Sequence, residues 1–246
     1  MTLPPRHYKG RVIGVYDVAD DTRKITVELE GRQRLPFSAG QYMRLAVEGF
    51  GQRPFSIASA PHEPLLEFHI KNSGQKDGQP SLSAHIAATL QPGHAVTLEG
   101  PLGENVWTPA AENGPPRPLL MLAGGLGIAP LKSIIAACLH MPAHPPVHLY
   151  WGARGRDQLY LDGFFRDLAK KYPRFSYIPV LSDERETAGY NGRTGLIGHA
   201  LAEDFETLAG FTIYMAGPQA MVDATLPLLL HKNAEEDYIF SDGFGV

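Results

Sequence analysis

Leu119-Leu120-Met121-Leu122-Ala123-Gly124-Gly125-Leu126-Gly127-Ile128-Ala129-Pro130 decides how the second half of this 246-residue chain folds. Residues 119–122 read as a buried strand, 124–130 as a glycine turn, and 130–140 as a helix. In a parallel α/β sheet, ligands bind outside the carboxyl ends of such strands. Glycines let the backbone approach a pyrophosphate, and a helix start offers amides and a favourable dipole to its charge. Pro130 suits the first helical turn, where a missing N–H costs nothing. The pattern departs from the standard dinucleotide fingerprint, because Pro130 stands where a third glycine would and no acidic residue follows about 20 positions on. Taken alone, the loop also reads as a tight turn with no ligand. A second such turn, Gly217-Pro218, follows another apolar run and would lie on the same sheet edge.

Outward from that stretch the rhythm is strand, helix, strand, helix. Strands read at 147–151, 175–181, 211–215 and near 238–240, and helices near 161–171, 196–203 and 219–232. This alternation predicts a parallel sheet with helices on both faces. Before residue 108 the pattern is short alternating runs, such as 24–29, 42–47 and 65–71, which predict an antiparallel barrel. One helix interrupts them near 83–90, with Ser83 as its expected cap. Residues 109–118 hold four prolines and little apolar content. They read as a linker, dividing the chain into domains 1–110 and 117–246.

Composition narrows the function. The chain is 43% hydrophobic and 20% charged, with a formal charge of −4. That balance gives no basic face for a nucleic-acid partner. The single cysteine, Cys138, excludes a disulfide framework and a four-cysteine iron–sulfur cluster within this chain. It sits with Ile134 and Ile135 on an apolar helix face and reads as core. No metal site is expected: Pro142 breaks the spacing of His140 and His144. Residues 118–139 are apolar, but their glycines and Pro130 argue for a buried strand–turn–helix rather than a membrane span. The first ten residues carry two prolines and no apolar run, so no secretory signal is expected, and the setting reads as cytoplasmic.

About 70 residues before the glycine turn stands Arg53-Pro54-Phe55-Ser56, at the start of a barrel strand. An arginine fork can clamp phosphate oxygens. An aromatic ring can lie against a flavin, and a serine hydroxyl can hydrogen-bond flavin N5. Read alone, it is equally an arginine and a serine on a strand. Further along come Gly100-Pro101-Leu102-Gly103, Tyr150-Trp151-Gly152-Ala153-Arg154, Gly192-Arg193-Thr194-Gly195, Ala216-Gly217-Pro218 and Phe240-Ser241-Asp242-Gly243-Phe244. In order and spacing these motifs resemble the ferredoxin–NADP reductase superfamily. Within it they are most similar to the bacterial NAD(P)H:flavin oxidoreductases and the FAD/NAD modules of oxygenase reductases.

That resemblance covers nearly the whole chain and implies a six-stranded flavin-binding barrel, then a pyridine-nucleotide domain, with the active site in the cleft between them. It places Arg53, Pro54, Phe55 and Ser56 on flavin, with Ser56 catalytic beside N5. His69, Ile70 and Lys71 would line the flavin ring edge and ribityl chain. Gly78, Leu82 and Ser83 would approach the pyrophosphate of FAD, and Phe244 or Phe240 would cover the ring. Gly124, Gly125, Leu126, Gly127, Ile128, Pro130, Gly217, Pro218 and Met221 would hold the nucleotide. Arg154 and Arg156 could meet a 2′-phosphate that Asp183 would repel, so both NADH and NADPH stay open. FAD is expected from the segment 78–83, with FMN or free flavin as alternatives. Many relatives carry cysteine where Ala216 stands, and alanine there favours the flavin-reductase branch.

The expected chemistry is hydride transfer from nicotinamide C4 to flavin N5, with electrons passing to free flavin, a ferric chelate or another small acceptor. Two alternatives stand beside it. One is a reductase subunit feeding a separate ferredoxin or oxygenase. The other is a non-catalytic flavin- and nucleotide-binding subunit of a larger complex.

Overall fold

The alternating runs of the first half pair into a single antiparallel sheet in a computed structural model that describes residues 6–47, 51–72, 75–76, 79–109, 117–183, 189–190 and 192–244. Its strands are β1 (Arg6–Ala19), β2 (Thr22–Leu29), β3 (Tyr42–Val47), β4 (Gly51–Ser56), β5 (Leu66–Lys71) and β8 (Ala95–Leu102). A two-residue ribbon, β6 (Gln75–Lys76) and β7 (Gln79–Pro80), lies between β5 and β8 in sequence. The six long strands run in the order β4-β3-β8-β1-β2-β5. Alternation is plain in β2, where Ile25, Val27 and Leu29 are buried between more exposed neighbours. The sheet curls until its edges meet just past β4: Ile57 bridges Phe68, and the Ala58 N–H donates to the Glu67 carbonyl at 2.8 Å. The expected barrel is therefore a six-stranded curled sheet with one short seam.

Helix α1 (Leu82–Thr89) packs against β4 and β5, and Ile86, with Leu90 just past the helix end, enters the core formed by Phe68, Leu98 and Met43. Its cap is Ser81, whose Oγ accepts the Ala84 N–H at 3.0 Å, and not Ser83 as expected. The helix starts one residue earlier than the apolar spacing suggests, so Ser83 falls inside the first turn. A serine two positions further back then meets the geometry that capping needs.

The second half is a six-stranded parallel sheet. Its strands are β9 (Leu119–Gly124), β10 (Val147–Ala153), β11 (Phe175–Leu181), β12 (Arg193–Thr194), β13 (Thr212–Pro218) and β14 (Ile239–Phe244). They run in the order β12-β11-β10-β9-β13-β14. Helices α2 (Ile128–Leu139), α3 (Asp162–Lys171), α4 (Ile197–Asp204) and α5 (Gln219–His231) alternate with them. Several strands are longer than their apolar runs, since β9 continues through Ala123 to Gly124 and β13 through to Pro218. Backbone pairing in a parallel sheet carries small residues that periodicity ignores. Leu120, Leu122, Ile213 and Met215 pack with α4 and α5 residues such as Leu201, Val222 and Leu229. On the opposite face Trp151 meets Phe165 edge-on, with centroids 6.0 Å apart.

Contacts divide the chain into two compact units, 1–108 with Lys132–Ala137, and 109–131 with 138–246. Among the described residues no helix is long and apolar enough to cross a membrane. The apolar stretch around residue 128 is accounted for by β9, a 3₁₀ turn over Gly125–Gly127 and α2, with Cys138 buried.

Urea unfolding in the absence of ligand should separate the two serines. Ser81→Ala is expected to lower stability by about 1 kcal/mol, and Ser83→Ala by less than about 0.5 kcal/mol. Equal losses would return the cap to Ser83.

Candidate functional site

Strand order determines where the second unit can bind a ligand. From β9 the sheet grows one way through β10, β11 and β12, and the other way through β13 and β14. Successive connections diverge between β9 and β13, which makes a crevice at their carboxyl ends. Gly124–Gly127 follows β9 and Gly217-Pro218 ends β13, so the two turns flank that crevice. They also pack on each other. A Cβ on Gly127 would overlap the Ala216 carbonyl, and one on Gly217 would lie 3.0 Å from the Gly124 Cα. A Cβ on Gly124 would meet Met221 Sδ at 2.6 Å. The 3₁₀ turn is tied down by Trp151, whose indole N–H donates to the Gly125 carbonyl at 2.9 Å.

Gly125 differs from its neighbours. Its φ is +51°, and a Cβ there would meet nothing within 4 Å among the described residues. The turn is thus closed on its inner side and open on its outer side, at the start of the twelve-residue helix α2. Such a cradle fits a nucleotide pyrophosphate. Pro130 lies in the first turn of α2, and Leu126 and Ile128 belong to the same turn and helix start. Arg154 follows β10 and Asp183 follows β11, and their backbones are joined by the Asp183 N–H donating to the Arg154 carbonyl at 3.1 Å. The candidate guanidinium and the candidate carboxylate therefore come from adjacent positions on this edge. Arg156 lies over the Tyr190 ring, 5.0 Å from its centroid.

Strand β14 pairs in parallel with β13, which sets Phe244 level with Pro218 and Asp242 level with Ala216. Phe240 stacks on Tyr214 with centroids 5.0 Å apart, so its ring already has an aromatic partner inside the sheet. Asp242 was not singled out from the sequence. Burial raises its carboxyl pKa at a strand end beside the two glycine turns. The readable signal was an acidic residue in an otherwise apolar and small terminal strand.

In the first unit, Arg53 to Ser56 form the second part of β4, an edge strand. Arg53 and Pro54 are exposed, and Phe55 and Ser56 half-buried, with Phe55 packed against the core. A guanidinium, a ring and a hydroxyl along one accessible edge suit the donor chemistry of a flavin nucleotide. On β5, the other edge, Ile70 is fully buried in the core, and Lys71 pairs with Asp21 at 3.0 Å. The His69 ring is also buried, and its Nε2 lies 2.8 Å from Glu67 Oε1. Ligand contacts assigned to His69 and Ile70 would therefore fall to their backbone. Leu82 and Ser83 lie in the first turn of α1, while Gly78 lies outside the described residues.

Glu67 joins three groups that the sequence left apart. Its Oε1 also lies 2.9 Å from Lys132 Nζ, which donates to the Ala58 carbonyl at 3.2 Å. Ser133 Oγ donates to the Ser59 carbonyl at 2.6 Å. Burial pushes the Glu67 carboxyl up, but the His69 hydrogen bond and the Lys132 charge outweigh it and bring the pKa down to about 2. Burial, opposed by Glu67, lowers the pKa of His69, so its imidazole is neutral and Nε2 carries the donated proton. A lysine in an apolar helix and a glutamate in an alternating strand carry no sequence mark of pairing.

Comparison with known proteins matches each half of the chain to a family. Residues 9–107 match the family model of the oxidoreductase FAD-binding domain, and 121–226 that of the oxidoreductase NAD-binding domain. The chain is 32% identical to an NAD(P)H-flavin reductase of Vibrio harveyi, over 95% of this chain and 97% of the relative. It is 30% identical to the ferredoxin--NAD(P)(+) reductase component of the naphthalene 1,2-dioxygenase system of Pseudomonas putida, over 99% of this chain and 71% of the relative. Among solved structures, a cytochrome P450 reductase from Amycolatopsis superposes with a TM-score of 0.84 at 33% identity, covering 100% of this chain and 72% of the other.

Two measurements check the site. Gly127→Ala forces the Ala216 backbone to move and should cost about 1–3 kcal/mol in urea unfolding, more than Gly125→Ala, whose added Cβ is strained in φ but meets no neighbour. The folded pKa of Glu67 lies below its usual 4.5, so its contribution is complete above about pH 5 and lost as pH falls towards 2. Stability should fall over that range by on the order of 2–3 kcal/mol more in the native chain than in Glu67→Gln.

Proposed function

The chain belongs to the oxidoreductases that join an FAD-binding domain to an NAD-binding domain, the ferredoxin-reductase family, and on that premise we propose that it is an NAD(P)H:flavin reductase acting in the cytoplasm. Residues 1–110 form the flavin domain in this reading and 117–246 the nucleotide domain. The observation that carries it is that one chain holds both an open-sided glycine cradle at a parallel-sheet switch point and Arg53–Ser56 on an accessible edge strand. Similarity along 95% of the chain to a flavin reductase supports the same conclusion.

The nucleotide binds with its pyrophosphate at Gly125–Ile128 and the start of α2, where backbone amides and the helix dipole meet the negative charge. Gly217, Pro218 and Met221 form the other wall of that crevice. Arg154 and Asp183 meet the adenosine end, and because they stand together the preference between NADH and NADPH follows from which of them the ribose faces. Arg53 would bind the flavin phosphate, Phe55 would pack along the flavin, and the Ser56 hydroxyl would orient N5. A bound flavin supplies the hydride acceptor and the onward path for electrons. The half-buried position of Ser56 limits competition from water for its hydrogen bond.

The electron acceptor in this reading would be free flavin, a ferric chelate or another small molecule. A second reading, transfer to a separate ferredoxin or oxygenase, is favoured by the similarity to the dioxygenase reductase component over 99% of this chain. The single buried cysteine leaves these 246 residues unable to ligate a four-cysteine cluster of their own.

Absorbance of the purified protein before and after anaerobic NADH, with and without added flavin, decides between the two. A colourless protein that oxidises NADH only with added flavin is the expected result, and a yellow protein that reduces a protein acceptor favours the second. Oxidation of neither NADH nor NADPH under any of these conditions overturns the proposal. Ser56→Ala should slow stopped-flow flavin reduction by at least about tenfold while shifting the nucleotide KM less than about twofold.

A further inference from the structure

The seam of the curled sheet is held by charge. Residues 57–60 leave β4 directly after Ser56 and run beside β5. Besides the backbone bonds of Ile57 to Gln41 and of Ala58 to Glu67, four contacts that involve side chains fix them. Lys132 Nζ donates to the Ala58 carbonyl at 3.2 Å, Ser133 Oγ to the Ser59 carbonyl at 2.6 Å, the Glu67 N–H to Ser59 Oγ at 3.0 Å, and the Ala60 N–H to Glu63 Oε2 at 2.6 Å. The side chains of Lys132 and Glu67 are 10% and 16% exposed, so their ion pair is largely out of water. A buried pair is a poor source of stability compared with apolar packing, which makes another role the better explanation for it.

We propose that Lys132 and Glu67 form a buried charge lock that holds the segment following Ser56, and through it Ser56 itself, in the conformation that flavin binding requires. Both are positioning residues, since each acts through the Ala58 carbonyl and β5. The inference rests on the flavin-reductase reading of the same strand.

Its signature is a pH dependence that loss of packing would not produce. In the native chain Glu67 is matched by Lys132 and hydrogen-bonded by His69, whose pKa burial lowers, so the charges of the seam balance at neutral pH. Other charges that face His69 and its strand include Lys24, paired opposite it on β2, Arg23, opposite Ile70 and paired with Asp17, and the Lys71–Asp21 pair. Replacing Lys132 by an apolar residue leaves the Glu67 carboxylate buried without its cation. A proton must then be taken up, on Glu67 or on His69, as pH falls. Protonation restores the seam's net charge, so flavin binding should recover at low pH.

The test is equilibrium binding of FMN and FAD to the full chain, read by quenching of flavin fluorescence from pH 5.5 to 8. Lys132→Met is expected to raise Kd by about tenfold or more at pH 8 and less than about threefold at pH 5.5, one pKa unit of coupling being a tenfold change. Lys132→Arg keeps the charge and should give a pH-independent ratio to the native chain. A Lys132→Met ratio that is flat with pH, or close to one throughout, overturns the inference. Should Lys132→Met not fold, the Glu67→Gln/Lys132→Met pair removes both charges and the Ala58 donor. It carries no unpaired buried charge at any pH, so its Kd should exceed the native one by less than about threefold throughout, and a loss of about tenfold or more that does not vary with pH overturns the lock. If the native chain binds neither flavin, the flavin-reductase reading falls instead, which is a separate outcome.

Discussion

Contact between two backbones, Gly127 against Ala216, is the constraint on which the nucleotide half depends. No side chain fits between them, so the turn after β9 and the end of β13 close directly on each other. That closure brings the start of α2 to the crevice where the strand order diverges, and Trp151 fixes the turn through the Gly125 carbonyl. Gly125 has φ in the left-handed region and nothing among the described residues near its outer side, which leaves the outer surface of the turn open. Three neighbouring glycines thus serve three needs: packing on Met221, an open cradle and a backbone contact. Pro130 stands where the usual fingerprint has a third glycine, and the close backbone approach in this turn is made by Gly127.

The flavin half solves a different problem. A six-stranded sheet of this kind must bring two edges together while keeping one of them accessible. The structure closes the edges over a short length only, beyond Ser56, where Ile57 bridges Phe68. Apolar packing cannot fill that seam alone, because the carbonyls of Ala58 and Ser59 need donors. Lys132 and Ser133 supply them, and Glu67 then balances the lysine charge. His69 is drawn into the same group, which is why a residue expected at the ligand has its ring buried.

Much of this was legible in the chain. Alternation in 24–29 and 42–47 matches β2 and β3, and the apolar runs at 119, 147 and 175 begin real strands. Their ends were less readable, since β9 and β13 continue into alanine, glycine and proline residues that carry no hydrophobic signal. The cap of α1 fell on Ser81 because a cap is defined by backbone geometry rather than by which serine stands nearest the apolar run. Of the flavin set, Arg53 to Ser56 lie together on one edge strand, while Ile70 belongs to the core. Arg154 and Asp183, 29 positions apart in the numbering, meet because β10 and β11 are parallel neighbours.

By itself the sequence determined what is local or periodic: two halves of different rhythm, a glycine turn at the head of a helix, an Arg-Pro-Phe-Ser strand, and the absence of cysteines for a cluster. Tertiary structure alone decided which distant groups share a charge and which backbones touch. Glu67 with Lys132, Asp242 beside Ala216 and Gly127 against the Ala216 carbonyl are all of this kind. The reason is physical. Hydrophobic period and turn chemistry act over a few residues, whereas desolvation and pairing of charges depend on what the finished fold brings within a few ångströms.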